Sequence, residues 1–70
     1  MEDRQAILGS TIARLRREAG LSQEAVADRA GIHAVMVSRV ERGATDARVS
    51  TLLRIADGLE LPPASLFADL

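Results

Sequence analysis

Seventy residues with no cysteine and one histidine allow a single small domain and exclude disulfides, a thiolate metal site and a structural zinc site. The chain is 47% hydrophobic but only 1% aromatic, so aliphatic side chains must fill the core. A formal net charge of −1 argues mildly against a nucleic-acid partner, because neutralising phosphates needs local positive charge. No apolar run approaches the roughly 18 residues of a membrane span and no leader opens the chain, so a cytoplasmic protein is expected.

Taken in order, the chain reads as helices and turns, with no strand pattern. The first helix is predicted over about 5–19, because Leu8, Ile12, Leu15 and Ala19 fall on one helical face. Gly20 follows as a residue able to take positive φ. The second helix spans about 23–30. Ser22 is its N-cap, and Leu21 and Val26 are placed to form a hydrophobic staple across that cap. Gly31 breaks it, and a third helix follows over about 33–42, closed by Gly43.

After a loop at 44–48, a fourth helix carries Leu52, Ile55, Ala56 and Leu59 on one face. Pro62 and Pro63 mark the start of a short fifth helix over about 64–70. Ala27 supplies the small side chain needed where two helices cross steeply. Gly31 supplies the tight turn between them, and Val37 and Val40 anchor the next helix. Together these have the logic of a helix-turn-helix.

The stretches LRREAGLSQEAVADRAGI, VSRVERG and TLLRIADGLELPPASLF resemble the Cro/lambda-repressor, or XRE-like, type of helix-turn-helix. The resemblance runs from about Leu8 to Phe67. It implies an all-α, compact five-helix domain over 1–70 with the motif at about 23–42. It also implies binding to double-stranded operator DNA as a homodimer. Its second helix would lie across the DNA backbone and its third would enter the major groove.

On a helical wheel, Val37 and Val40 of the third helix point inward, flanked by His33 and Glu41. Val35, Ser38, Arg39 and Arg42 point outward, with Ala34 at the edge. By resemblance, Ala34, Val35 and Arg39 match the base-reading positions. An exposed valine can meet a thymine methyl, and an arginine one turn on can pair with guanine O6 and N7. Gln23 and His33 match phosphate-contacting positions, and Ser38, Arg42 and Arg48 are further candidates for holding the backbone. Met36 is assigned to packing. The competing reading makes Val35 and Met36 a protein contact or part of the core. Arg16 and Glu41 match an ion pair between the first and third helices.

The charge is unevenly spread. Between Ser10 and Ile55 eight arginines face five acidic residues, a local net of +3, whereas Glu2, Asp3, Asp57, Glu60 and Asp69 gather toward the ends. Leu61, Leu66, Phe67 and Leu70 exceed the apolar surface a terminal helix needs, so a two-fold dimer interface is expected there. No proline precedes the fourth helix. Arg48 stands where a capping serine is common, and Glu60 where glycine is frequent. No nucleophile–base spacing marks an enzyme, and no metal, cofactor, membrane or small-molecule effector is implied. With no second domain expected, control would come from concentration and dimerisation. Small stand-alone relatives include restriction–modification controller proteins and phage or plasmid repressors. The alternative reading is a helix-turn-helix module that binds another protein, antitoxin-like or anti-repressor, which the negative total charge favours.

Overall fold

The computed structural model describes residues 3–70; Met1 and Glu2 lie outside the described residues. Four α-helices form: α1 (Arg4–Glu18), α2 (Gln23–Ala30), α3 (Ala34–Glu41) and α4 (Val49–Leu59). There is no strand among the described residues. The expected fifth α-helix is instead a 3-10 turn over Pro63–Phe67. Proline removes an N–H donor at positions 62 and 63, and the segment closes with i→i+3 bonds from Ser65 to Pro62, Ala68 to Ser65 and Leu70 to Phe67.

Each helix end has a local cause. The Asp3 carboxylate accepts from the Gln5 and Ala6 N–H groups at 3.0 and 3.3 Å, which starts α1 one residue earlier than its apolar face indicates. The Ser22 hydroxyl oxygen accepts from the Ala25 N–H at 3.0 Å. Gly31 ends α2 in the left-handed region, at φ 70°, ψ 34°, and lets the chain turn directly into α3. His33 and Arg48 stand at the N-cap positions of α3 and α4 without a side-chain capping bond. Glu60 ends α4 at φ 58°, a conformation that favours glycine.

The core gathers the inward faces of all four helices. Ile12, Val26, Val37, Ile55 and Leu66 are its largest fully buried side chains. α4 lies against α2, α1 lies against α3, and the 3-10 turn closes over α4 and α1. Leu66 is fully enclosed and therefore cannot serve the dimer surface expected of it; the turn drives it inward between the two helices. Leu61 is half-buried against the same core.

The approach of α1 to α3 depends on Gly9. A Cβ at that position would overlap the carbonyl oxygens of Val40 and Glu41, so the two helices meet backbone to backbone. Two residues further along α1, Thr11 is the one buried polar side chain among the described residues. Its Oγ1 donates to Asp69 Oδ2 at 2.7 Å, with the Ile7 carbonyl oxygen 3.0 Å away. Arg14 Nη2 stands 3.6 Å from the same carboxylate oxygen, so the end of the chain is fastened to α1.

The left-handed Glu60 gives the first prediction. A non-glycine residue there costs about 1–2 kcal/mol, and glycine returns about 0.4–1 kcal/mol of that through the flexibility of the unfolded chain. Glu60→Gly is expected to raise stability by about 0.5–1 kcal/mol, measured as a higher urea midpoint at unchanged slope.

Candidate nucleic-acid interface

The residues expected to read bases lie on α3. Three apolar residues open this helix in a row, and they separate cleanly. Val35 is 61% exposed. Ala34 and Met36 are half-buried and packed against the core. Met36 also lines a groove with Thr45, Asp46, Ala47, Arg48 and Thr51, so it supports the loop that follows α3. A valine this open on a short helix adds nothing to the core, whereas an apolar contact with a partner would use it.

One turn further along α3, Arg39 is exposed. Neither an ion pair nor a side-chain hydrogen bond within the described chain occupies it. Arg42 is also exposed, but its Nε donates to the Ser38 carbonyl oxygen at 3.3 Å, folding the guanidinium back over the end of its own helix. That bond leaves the terminal nitrogens of Arg42 unengaged. Ser38 itself is half-buried and His33 is exposed at the N-cap. Thus Val35, Arg39 and Arg42 form the open side of α3, with His33 at its start.

The N-terminus of α2 lies near the other end of α3. Ser22 satisfies the Ala25 N–H. The N–H groups of Gln23 and Glu24, by helix geometry, have no carbonyl partner within the helix. Gln23 is half-buried, and its Nε2 donates to Glu41 Oε1 at 3.0 Å. Sequence reasoning, which placed Gln23 toward phosphate, missed this bond. Its two ends lie 18 residues apart and no local pattern announces it.

Glu41 is also bound by Arg16. Arg16 Nε donates to Oε2 at 2.7 Å and Nη2 to Oε1 at 3.1 Å, a two-pronged pair. The side chains are 12% and 5% exposed, so the pair is largely removed from water. Arg16 Nη1 further donates to the Leu21 carbonyl oxygen at 2.8 Å, in the turn before α2. The hydrogen bond to Glu41 holds the Arg16 guanidinium above its ordinary range, against the opposing effect of burial. Its cation therefore persists at every working pH.

Arg48 is exposed at the start of α4 and lines the same groove as Met36. Apart from Val35, the large exposed apolar residues lie away from α3. Phe67 and Leu70 are open, as are Val49 at 71% and Leu53 at 45%. Sequence reading did not select Val49 and Leu53. The signal was present in their spacing of four along α4, off the stripe of Leu52, Ile55, Ala56 and Leu59.

A family model described as a helix-turn-helix domain matches residues 7–68, and the chain belongs to this family of DNA-binding transcriptional regulators. It is 44% identical over 57 residues to the HTH-type transcriptional regulator y4dJ of Sinorhizobium fredii, covering 81% of this chain and 74% of that one. It is also similar to the transcriptional regulator SutR of Escherichia coli, at 34% identity over 62 residues; these cover 89% of this chain but 35% of SutR. The fold superposes on the restriction–modification controller protein C.AhdI of Aeromonas hydrophila with a TM-score of 0.88 and 33% identity, covering 90% of this chain and 96% of that one. No helix among the described residues is long and apolar enough to cross a membrane.

The buried pair yields a second prediction. Glu41→Ala strands the Arg16 cation and the Gln23 amide, and is expected to cost about 3–5 kcal/mol. Replacing both partners with apolar side chains, Arg16→Met with Glu41→Leu, is expected to stay within about 1 kcal/mol of the parent. Thermal and urea melts of the two variants check the contrast.

Proposed function

We propose that this protein is a sequence-specific transcriptional regulator that binds a pseudo-palindromic operator as a homodimer. The observation that carries the reading is the pairing of an open Val35 with an unengaged Arg39 one turn apart on the short α3. An apolar side chain and a free guanidinium at that spacing suit a thymine methyl and a guanine edge in the major groove. Ala34, half-buried, offers a smaller contact at the start of the same face. Gln23, His33, Ser38, Arg42 and Arg48 are proposed to hold the flanking backbone, Arg42 and Arg48 through their exposed guanidinium groups.

The fold is similar to that of the restriction–modification controller protein C.AhdI across nearly the whole of that chain, which supports a controller role of the same kind. The net charge of −1 supports weak non-specific attachment and strong dependence on the specific contacts.

The dimer surface is proposed to comprise Val49, Leu53, Phe67 and Leu70, with Leu61 at its half-buried edge. These residues include the large apolar side chains left open away from α3, and a small core gains most from covering such surface with a second copy. A two-fold axis places two α3 helices against half-sites about one helical turn apart.

Selection of bound duplexes from a random pool at near-physiological salt tests the reading. An inverted repeat with that spacing is the expected result. Binding that is sequence-blind and lost with salt, or no binding, moves the protein to the interaction-module class, with Val35 as a protein contact. On the selected site, Arg39→Ala is expected to cost about 1–3 kcal/mol and to relax preference at one base pair.

Sedimentation tests the dimer on its own. Leu53→Asp is expected to shift the equilibrium toward monomer while leaving the helical content unchanged. An undisturbed dimer would place the interface elsewhere.

A further inference from the structure

Gln23 opens α2 at the place where a phosphate contact is proposed, yet its side chain does not hang free. The Glu41 carboxylate is an acceptor only, so the nitrogen end of the Gln23 carboxamide must face it. The bond from Gln23 Nε2 to Glu41 Oε1, at 3.0 Å, therefore fixes which way round the amide sits. Glu41 is in turn held by both Arg16 Nε and Arg16 Nη2, with little exposure to water. One amide hydrogen of Gln23 is used; the second remains for another acceptor.

We propose that Glu41, backed by Arg16, is a positioning residue for DNA backbone recognition: it presets the Gln23 carboxamide at the N-terminus of α2 so that its second N–H meets a phosphate oxygen. This rests on the reading of Gln23 as a phosphate contact.

Two physical consequences follow from the geometry. A free glutamine gives up considerable rotamer freedom on binding, and one already held gives up less. The Arg16 cation also neutralises Glu41, so that a carboxylate close to the contact does not repel the phosphate. The same Arg16 grips the Leu21 carbonyl oxygen, which fixes the entry of the chain into α2 beside the free N–H groups of Gln23 and Glu24. The buried pair thus reaches the nucleic acid without touching it.

The test uses the full chain and the operator obtained by selection. Neutral methylphosphonates are scanned along the half-site to find the phosphate whose neutralisation weakens the parent, by roughly tenfold for a charge-assisted bond. Gln23→Ala is expected to lose sensitivity at that one phosphate. The apolar pair variant, Arg16→Met with Glu41→Leu, is expected to bind the normal operator several-fold more weakly and to lose most of the same sensitivity. Adding Gln23→Ala to it is expected to change nothing further.

A folded pair variant that keeps the full methylphosphonate penalty, and that Gln23→Ala weakens as much as it weakens the parent, overturns the proposal and leaves the pair a stability element. If Gln23→Ala in the parent keeps the penalty at every phosphate, the phosphate reading of Gln23 itself fails, and the proposal with it. Should the pair variant not fold, Glu41→Asp draws the carboxylate back from Gln23 by one methylene while keeping its charge, and the same phosphate scan decides.

Discussion

The Arg16–Glu41 pair joins the ends of three helices. Glu41 sits at the C-terminus of α3, where the helix dipole disfavours an anion. It is also largely buried, where an unpaired carboxylate is costly. Arg16 relieves both difficulties with two hydrogen bonds and adds a third to the carbonyl oxygen of Leu21. Because α1, the entry to α2 and the end of α3 meet at this one charge pair, the angle between the two helices of the motif is set partly by polar geometry. Aliphatic packing alone, spread over Ile12, Val26 and Val37, is less directional.

The exposed apolar side chains fall into two groups. Val35 is offered singly, beside arginines, on a face otherwise polar. Val49, Leu53, Phe67 and Leu70 are offered on α4 and the terminal turn. The first arrangement suits reading an edge that alternates methyl and polar groups. The second suits a partner with similar apolar side chains. The acidic residues Asp57, Glu60 and Asp69 lie in the same C-terminal region, and Asp69 is occupied by Thr11 and Arg14. A protein of net charge −1 can therefore still leave Arg39 and Arg42 open on α3, because the one acid of that helix, Glu41, is paired with Arg16.

Much of the fold was legible because its causes are local. The stripe of Leu52, Ile55, Ala56 and Leu59 and the cap at Ser22 each act within a few residues, as does the break at Gly31. The openness of Val35 was legible for the same reason, since helical periodicity decides it once α3 is placed. What escaped depends on pairs far apart in the chain. Thr11 finds Asp69 across 58 positions, and Gln23 finds Glu41 across 18. Neither residue has a neighbour that betrays the partner. The last segment was misread because apolar spacing alone does not separate an α-helix from a tight 3-10 turn. Two prolines and a short length decided the matter and turned Leu66 inward.

Gly9 has a consequence for how the outer face of α3 could change. Since α1 and α3 touch through main-chain atoms there, the depth and tilt of α3 are fixed by backbone contact and not by the side chains on its outer surface. Residues 35 and 39 can then be exchanged while the mount beneath them stays put. If these outward positions read the operator as proposed, a lineage or a designer could retune the recognised sequence there and leave the hidden joint untouched. The freedom of the exposed surface is secured by a position that tolerates no side chain.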